Sequence, residues 1–504
     1  MNRILVAVIA LAIHHSGMLF AEEASSAKPN VLLICVDDLK PLLGCYGNSI
    51  VQSPHIDRLA SRGVLFERAY CNQAVCSPSR NALLTGLRPQ SLGIYDLATN
   101  FRVSAPEAVT LPQYFKQHGY RTESLGKIFH TGHENHDDAA SWSVPSFQAN
   151  NASAINDGEE KPSPKKSAKK KKGAKRSAAY SAADVDDSTY ADGKVADEAV
   201  RRLTAAKSNQ SEPFFIAVGF VKPHLPFVAP QKYWDLYQPS AFELATYRDL
   251  PVGAPSYAPQ KSGELRNYQG IPAEGALPDD LQRNLIHGYH AATSYMDAQV
   301  GRVLEALHQT GLDDNTIIVL WGDHGWHLGD HGMWCKHTNY EQATHIPLVI
   351  VAPEVTPAGQ RTKAFAESVD IYPTLCELAG LPLPAGVDGS GLITALRDPY
   401  SQGKDSVIHV YPRGERLGRA IRTDRYRLVE WKVPGAPPET AELELYDYVT
   451  DPLEQKNIAG EDPKTVAALR SILNKYPEAK KQITQSKSKA SSESAATGRV
   501  STPK

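Results

Sequence analysis

The segment Val31-Leu-Leu-Ile-Cys-Val-Asp-Asp38 joins a continuous apolar run to two adjacent carboxylates. A run that is apolar at every position predicts a strand buried on both faces, as strands of parallel sheets are. In open α/β sheets, ligands bind beyond the carboxyl ends of such strands. The segment therefore predicts both a fold class and a candidate site where the strand ends.

Further apolar runs alternate with helical patterns along most of the chain. Strands that alternate with helices indicate an α/β domain with a largely parallel sheet. We expect the first helix to have Ser53 as its N-cap and Pro54 in its first turn. The predicted strands are 31–36, 214–220, 315–321 and 346–351, and the predicted helices are 53–62, 110–118, 280–309 and 370–379.

The pattern changes after about residue 390. Antiparallel strands are predicted at 406–410, 419–431 and 442–448, and a helix at 466–473. The length of 504 residues accommodates one large domain and a smaller one. We therefore expect a catalytic α/β domain over 29–390 and a C-terminal α+β subdomain over 391–478.

The first residues are typical of an export signal. Arg3 gives a basic start, 4–13 is apolar, and Ala21 offers a small residue for cleavage. The apolar run is shorter than the roughly 20 residues that span a bilayer, and no other segment is typical of a transmembrane helix. We expect a signal peptide at 1–21 and a periplasmic or extracellular location.

Two segments are predicted to be disordered, an insertion at about 150–182 and a tail at 479–504. Nine of the sixteen residues in 161–176 are Lys or Arg, without apolar periodicity, and the tail is rich in Ser, Lys and Ala. The basic run is interpreted as a solvated surface insertion, with a tether for sulfated or carboxylated polymers as the alternative. The whole-chain formal net charge of -2 argues against a dedicated nucleic-acid binder.

The chain has six cysteines, and their spacing matches no short metal-binding pattern. Cys35 and Cys376 lie in apolar segments and are expected to be core residues. We expect no disulfide framework, while an isolated bridge stays open for an exported protein.

A second acidic motif, Trp321-Gly-Asp323-His324-Gly325, ends another predicted strand. Together with Asp37 and Asp38 it places three carboxylates at two strand ends. Such an oxygen-rich set suits a hard divalent cation such as Ca²⁺. His324 is an unusual neighbour for calcium, so the acids are the stronger candidate ligands.

The stretch Cys76-Ser-Pro-Ser-Arg80 continues to Leu84-Thr-Gly86, giving the string C-x-P-S-R-x-x-x-L-T-G. It predicts a helix start, where free N–H groups favour anions, with a nucleophile and a cation one turn apart. An ordinary thiol of lowered pKa is the alternative interpretation. The complete string favours a catalytic residue, because chance rarely matches it.

Three Lys–His pairs lie after predicted strands or in loops beyond strand ends, where an anionic substrate would bind. Each pair alone is typical of a surface lysine and a hydrogen-bonded histidine. The pairs are Lys127 with His130, Lys222 with His224, and Lys336 with His337.

The order of these motifs resembles the type I sulfatase family over roughly residues 29 to 475. Within that family, Lys127-Ile-Phe-His130 and Gly325-Trp326 are most similar to the iduronate-2-sulfatase-like members. The resemblance implies a fold related to alkaline phosphatase. It also implies that Cys76 is oxidised to formylglycine by a formylglycine-generating enzyme and becomes the nucleophile.

The resemblance further implies roles for the other residues. Arg80 and Lys127 would position the aldehyde hydrate, and His130 would assist proton transfer at residue 76. His224 would protonate the leaving alcohol, and Trp326 would contact the sugar or pack against the metal loop. Ca²⁺ would be held by Asp37, Asp38, Asp323, His324 and residue 76, and the sulfate by Lys127, His224 and Lys336.

Three functional hypotheses follow. The first is an exported Ca²⁺-dependent sulfatase acting on a sulfated carbohydrate, with a 2-O-sulfated uronate as the candidate substrate. The second keeps the fold but makes the protein a phosphodiesterase or phosphonate hydrolase. The third is an inactive, glycan-binding homologue, which the retained metal acids argue against.

Overall fold

The computed structural model describes residues 28–149, 177–209 and 211–484. The predicted signal peptide at 1–21 and the basic run 161–176 lie outside the described residues. In the described part of the chain, no helix is long and apolar enough to cross a membrane.

Strands and helices alternate through the larger part of the molecule. The strands are β1 (Asn30–Val36), β2 (Val64–Tyr70), β3 (Arg121–Gly126), β4 (Tyr180–Ala183), β5 (Phe214–Phe220), β6 (Phe227–Pro230), β7 (Thr316–Gly322), β8 (His327–Leu328), β9 (Trp334–Cys335), β10 (His345–Ile346), β11 (Leu348–Val351), β12 (Gln360–Glu367), β13 (Ser406–Arg413), β14 (Arg416–Thr423), β15 (Tyr426–Lys432) and β16 (Glu442–Asp447). The helices are α1 (Pro54–Ala60), α2 (Cys76–Thr85), α3 (Pro89–Leu92), α4 (Leu111–Gln117), α5 (Ala191–Ala206), α6 (Gln231–Trp234), α7 (Asp279–Gln309), α8 (Glu341–Thr344), α9 (Ile371–Leu378), α10 (Ile393–Arg397) and α11 (Pro463–Leu473).

The main sheet has the strand order β10-β2-β11-β7-β1-β5-β3, with β12 also paired to β2. The central strands β7, β1, β5 and β3 are parallel, which confirms the predicted α/β class. The predicted strand 346–351 is divided at Pro347 into β10 and β11, which are antiparallel to their neighbours. A proline has no N–H to donate to a strand ladder, so the pairing breaks there.

Strand β1 is buried on both faces, as its uniform apolar sequence predicts. On one face Leu33 and Cys35 belong to a core shared with α2, α4 and α9. On the other face Leu32, Ile34 and Val36 belong to a core shared with α5 and α7. Helices on both sides thus hold the carboxyl end of β1 in place.

The start of helix α1 differs from the prediction. Ser53 occupies the N-cap position but its side chain makes no capping bond; its hydroxyl instead accepts a hydrogen bond from the Gly44 N–H at 2.9 Å. The N–H groups of His55 and Ile56 donate to Asp297 of α7, at 3.2 and 2.8 Å. A carboxylate from a distant helix therefore takes the capping role.

Beyond residue 400 a separate antiparallel sheet has the order β13-β14-β15-β16. Helix α11 packs on it through Val466, Leu469 and Leu473. The single strand predicted at 419–431 is wrong: it is a hairpin of β14 and β15. The chain reverses where the Thr423 hydroxyl oxygen accepts a hydrogen bond from the Tyr426 N–H at 3.0 Å.

The two segments predicted as disordered have structured ends among the described residues. Residues 177–182 include the first part of β4, which pairs with β6. In the tail, the Lys480 N–H donates to Gln90 O at 3.1 Å and the Ile483 N–H to Gly93 O at 2.7 Å. These ends are held by tertiary contacts that composition does not reveal. All six cysteines are free, as expected of a chain without a disulfide framework.

Arg427 joins the C-terminal sheet to the main domain. Its fully buried guanidinium donates to Glu454 and to Glu341 of α8, each at 2.6 Å. Glu341 also accepts a hydrogen bond from Tyr70 at the end of β2, at 2.7 Å. The two sheets are thus connected by a buried ionic network.

We expect Arg427→Ala to lower the free energy of unfolding by about 3–5 kcal/mol, because it leaves buried carboxylates without a partner. The control is Arg416→Ala, which removes an exposed ion pair with Glu442 and costs less than about 1 kcal/mol. Denaturant unfolding measures both. Equal effects of the two substitutions would contradict a structural role for the network.

Candidate active site

The site begins where β1 and β7 end beside each other. The two strands are parallel and pair Val36 with Gly322, so the next residues of each strand leave the sheet at the same level. The Asp323 N–H donates to Val36 O at 3.0 Å, and the Asp38 N–H donates to Asp323 Oδ1 at 3.0 Å. The acids that the sequence placed at two strand ends are therefore brought together, and all are fully buried.

Cys76 lies against this acidic cluster as the first residue of helix α2. Its Sγ atom is 3.4 Å from His324 Nε2, and its residue is only 3% exposed. Ligand atoms of Asp37, Asp38, Cys76 and His324 all lie within 4.8 Å of one another. Burial, and next the charge of Asp37, raise the pKa of the Cys76 thiol well above its usual value. This shift is opposite in direction to that of the low-pKa thiol considered as the alternative.

Arg80, one turn along α2, is fully buried beneath the acids. Its Nε donates to Asp323 Oδ2 at 2.9 Å and its Nη2 to Asp37 Oδ1 at 3.3 Å. Its Nη1 donates to the carbonyl oxygens of Lys127 and of Ile128, the latter at 3.2 Å. The hydrogen bonds of Arg80 thus connect the residues that follow β1, β3 and β7.

Two lysines from different loops complete the balance of charge. Lys127, directly after β3, donates to Asp37 Oδ2. Lys336, directly after β9, lies 3.1 Å from both oxygens of Asp38. Three cationic side chains thus contact three carboxylates in the cluster. The cations are Arg80, Lys127 and Lys336, and the carboxylates are Asp37, Asp38 and Asp323.

The three acids respond differently to this environment. Burial raises the pKa of Asp37, but Lys127, His224 and Arg80 outweigh it and hold that pKa well below the usual value. Burial and the neighbouring acids raise the pKa of Asp38 well above its usual value despite Lys336. Burial and Asp37 raise the pKa of Asp323 to about 7. The uneven values reflect carboxylates that are buried close together, each with a different set of charged neighbours.

The donor set fits a hard divalent cation. Buried carboxylate oxygens converge with His324 and residue 76, and their mutual repulsion is the kind that a bound cation relieves. Asp323 lies at the same place, with Oδ1 at 3.5 Å from His324 Nε2. Its other oxygen is held by Arg80.

His224 faces the cluster from the loop after β5. Its Nε2 is 3.8 Å from Asp38 Oδ2 and 3.2 Å from Glu264 Oε1. Burial and the nearby Lys336 lower the pKa of His224 to about 4. Lys222 does not reach the cluster, because its ammonium donates to carbonyl oxygens of its own loop, at His224 and Pro226.

His130 is also close to the site, and burial together with Lys127 lowers its pKa to about 3. Its Nε2 lies 3.2 Å from His133 Nδ1, and its buried Nδ1 has no hydrogen-bond partner. The imidazole is therefore neutral near pH 7 and has one buried nitrogen without a protein partner.

Trp326 is placed beneath the site rather than at its surface. It is 1% exposed and packs against Phe227, while the Lys336 ammonium lies 4.9 Å above its ring. The sequence left two interpretations of Trp326, a contact to the sugar or packing against the loop that carries Asp323 and His324. Its burial agrees with packing.

Glu264 was missed by the sequence analysis. It lies in a loop between α6 and α7, and Oε2 is 3.0 Å from Lys336 Nζ. No motif surrounds it in Lys261-Ser-Gly-Glu264, so no local signal indicated that this acid reaches the site.

Comparisons with known proteins agree with this arrangement. Residues 29–381 match the family model described as Sulfatase, and 329–482 match the one described as N-sulphoglucosamine sulphohydrolase, C-terminal. A mouse protein named Iduronate 2-sulfatase is 40% identical over 391 residues, covering 70% of this chain and 69% of that protein.

Solved structures share the fold. A protein in complex with its substrate D-glucosamine-2-N,6-O-disulfate aligns with a TM-score of 0.70 at 22% identity, over 89% of this chain and 97% of that one. A phosphonate monoester hydrolase of Agrobacterium radiobacter aligns with a TM-score of 0.69 at 23% identity, over 88% and 94%. The fold is the sulfatase variant of the alkaline-phosphatase-like architecture, as the resemblance implied. The chain therefore belongs to the sulfatase family and is a sulfuric ester hydrolase.

Proposed function

We propose that this sulfatase removes sulfate from a sulfated carbohydrate, with a 2-O-sulfated uronate of a glycosaminoglycan as its substrate. The observation that carries the proposal is the position of Cys76, at the start of α2 and against the buried acids. The uronate is supported by the 40% identity to a protein named Iduronate 2-sulfatase.

Cys76 is the residue that maturation converts to formylglycine, and a formylglycine-generating enzyme is the partner required for this step. The hydrated aldehyde supplies one hydroxyl that attacks sulfur and a second that later lets sulfate leave. Residues 1–21 direct the chain to the periplasm or the exterior in this proposal.

Asp37, Asp38, Asp323 and His324, with residue 76, are the proposed ligands of one Ca²⁺. The bound cation supplies Lewis-acid activation of the nucleophile. Arg80 contributes by fixing Asp37 and Asp323 in place, and its contacts are fully buried. Arg80 therefore holds these two carboxylates in place before substrate binds.

Lys127, His224 and Lys336 are the proposed contacts of the sulfate oxygens. Cations aimed at these oxygens stabilise the charge that develops during transfer. His224 protonates the leaving alkoxide, since an anion bound beside its ring favours the protonated imidazole. His130, which lies close to the site, assists proton transfer at residue 76. Trp326 supports Lys336 from below.

We expect the peptide containing residue 76 of the active protein to carry an aldehyde in place of the thiol, measured by mass spectrometry. Cys76→Ala is expected to lower kcat by at least about 10³-fold, since it removes the nucleophile. Cys71→Ala is the control, because Cys71 is buried nearby outside the ligand group. Active protein in which residue 76 is entirely unmodified Cys would overturn the mechanism.

Ca²⁺ is expected to raise the melting temperature, because it binds the folded cluster and relieves carboxylate repulsion. The shift is expected to be lost in Asp37→Asn, which removes a ligand and a charge, and kept in the exposed Asp405→Asn control. Thermal unfolding with Ca²⁺ and with a chelator measures this effect. An undiminished shift in Asp37→Asn would place the ion elsewhere.

The substrate is tested by sulfate release from a panel of defined sugars, 2-O-sulfated uronates, sulfated hexosamines and sulfated fucose, together with a phosphonate monoester. We expect kcat/KM for the uronate 2-sulfate to exceed the others by at least about tenfold, which is about 1.4 kcal/mol in transition-state binding. If uronate 2-sulfates are inert while hexosamine or fucose sulfates react, the substrate assignment is wrong. A preference for the phosphonate monoester would favour the second hypothesis.

A further inference from the structure

Glu264 brings a negative charge to the mouth of a site that has to bind an anion. Its two oxygens contact Lys336 at 3.0 Å and His224 at 3.2 Å. Its side chain is 23% exposed, whereas that of Lys336 is 3% exposed. Glu264 therefore lies on the solvent side of Lys336 and beside His224, whose side chain is 22% exposed. The reaction proposed above gives Glu264 no role.

The position of Glu264 is built into the fold. The loop that carries it is tied to β9, since the Trp334 N–H donates to Ser262 Oγ at 3.0 Å and the Gln260 side chain donates to Trp334 O. Strand β9 ends immediately before Lys336. This short strand therefore fixes the positions of both Lys336 and the loop that carries Glu264. The next residue, Leu265, is buried and anchors the loop further.

The carboxylate of Glu264 is ionised in this setting. Burial alone would raise its pKa, but Lys336 and then His224 hold that pKa well below the usual value. This negative charge is located beside Lys336 and His224, the two groups that are proposed to hold the transferred group.

We propose that Glu264 is a specificity-determining residue that selects esters carrying one negative charge, such as sulfate esters, over phosphate monoesters carrying two. The inference rests on the proposed function, because it takes Lys336 and His224 as contacts of the transferred group. Coulomb repulsion from Glu264 grows in proportion to the ligand's charge. A phosphate monoester is doubly charged well above its second pKa of about 6, so it suffers the greater repulsion.

The test compares Glu264→Gln with the wild type at pH 8, on 4-nitrophenyl sulfate, 4-nitrophenyl phosphate and a singly charged 4-nitrophenyl phosphonate. Glutamine keeps the size of the side chain and removes the charge. The ratio of kcat/KM for phosphate over sulfate is expected to rise about tenfold, while the ratio for phosphonate over sulfate stays constant. Glu274→Gln, an exposed acid of the same connection, is the control and leaves both ratios unchanged.

Binding without turnover provides a second readout. In a Cys76→Ala background at pH 8, calorimetry of phenyl phosphate, which is doubly charged, and of phenyl sulfate, which is singly charged, is expected to show that Glu264→Gln tightens the phosphate ester about tenfold relative to the sulfate ester. Unchanged ratios in both kinetics and binding would overturn the inference, including the case in which Glu264→Gln weakens all ligands equally. Wild-type protein that does not hydrolyse sulfate esters would instead contradict the proposed function, and the binding ratio would still decide the role of Glu264.

Discussion

Three buried carboxylates lie next to each other at the ends of β1 and β7. The site depends on the positive charges that compensate them. Arg80 supplies part of this compensation, because its guanidinium contacts Asp37 and Asp323, and it also donates to two carbonyl oxygens after β3. A buried charge is tolerated only when it is paired and hydrogen-bonded. The cluster is therefore held by contacts that also fix the relative positions of three strands.

Residues from well-separated parts of the chain converge on this cluster. Cys76 starts a helix, Lys127 follows β3, His224 follows β5, and Lys336 follows β9. The central parallel strands bring their carboxyl ends to one edge of the sheet. The C-terminal sheet adds support through Arg427 and Glu341, which lies shortly after Lys336 in the chain. One short segment thus contributes Lys336 to the site and Glu341 to the contact with the C-terminal sheet.

Much of the fold was predictable because its sequence signals are local. The uniform apolar runs of β1, β5 and β7 require burial on both faces, and the structure confirms them. Predictions failed where tertiary contacts decide local structure. Ser53 has the right chemistry for a cap, yet Asp297 takes that role, and residues 479–484 are ordered because they contact the segment around Gln90 and Gly93.

The sequence by itself determined the central strands, the string around Cys76, the acids at the two strand ends and the family to which the chain belongs, because these depend on residue type and spacing along the chain. Only the tertiary structure decided how the charges pair. It placed Lys222 in its own loop, buried Trp326 beneath Lys336, and brought Glu264 to His224 and Lys336. The physical reason is that such pairings depend on how loops fold over the sheet edge, and residues distant in sequence carry no pattern that records their contact.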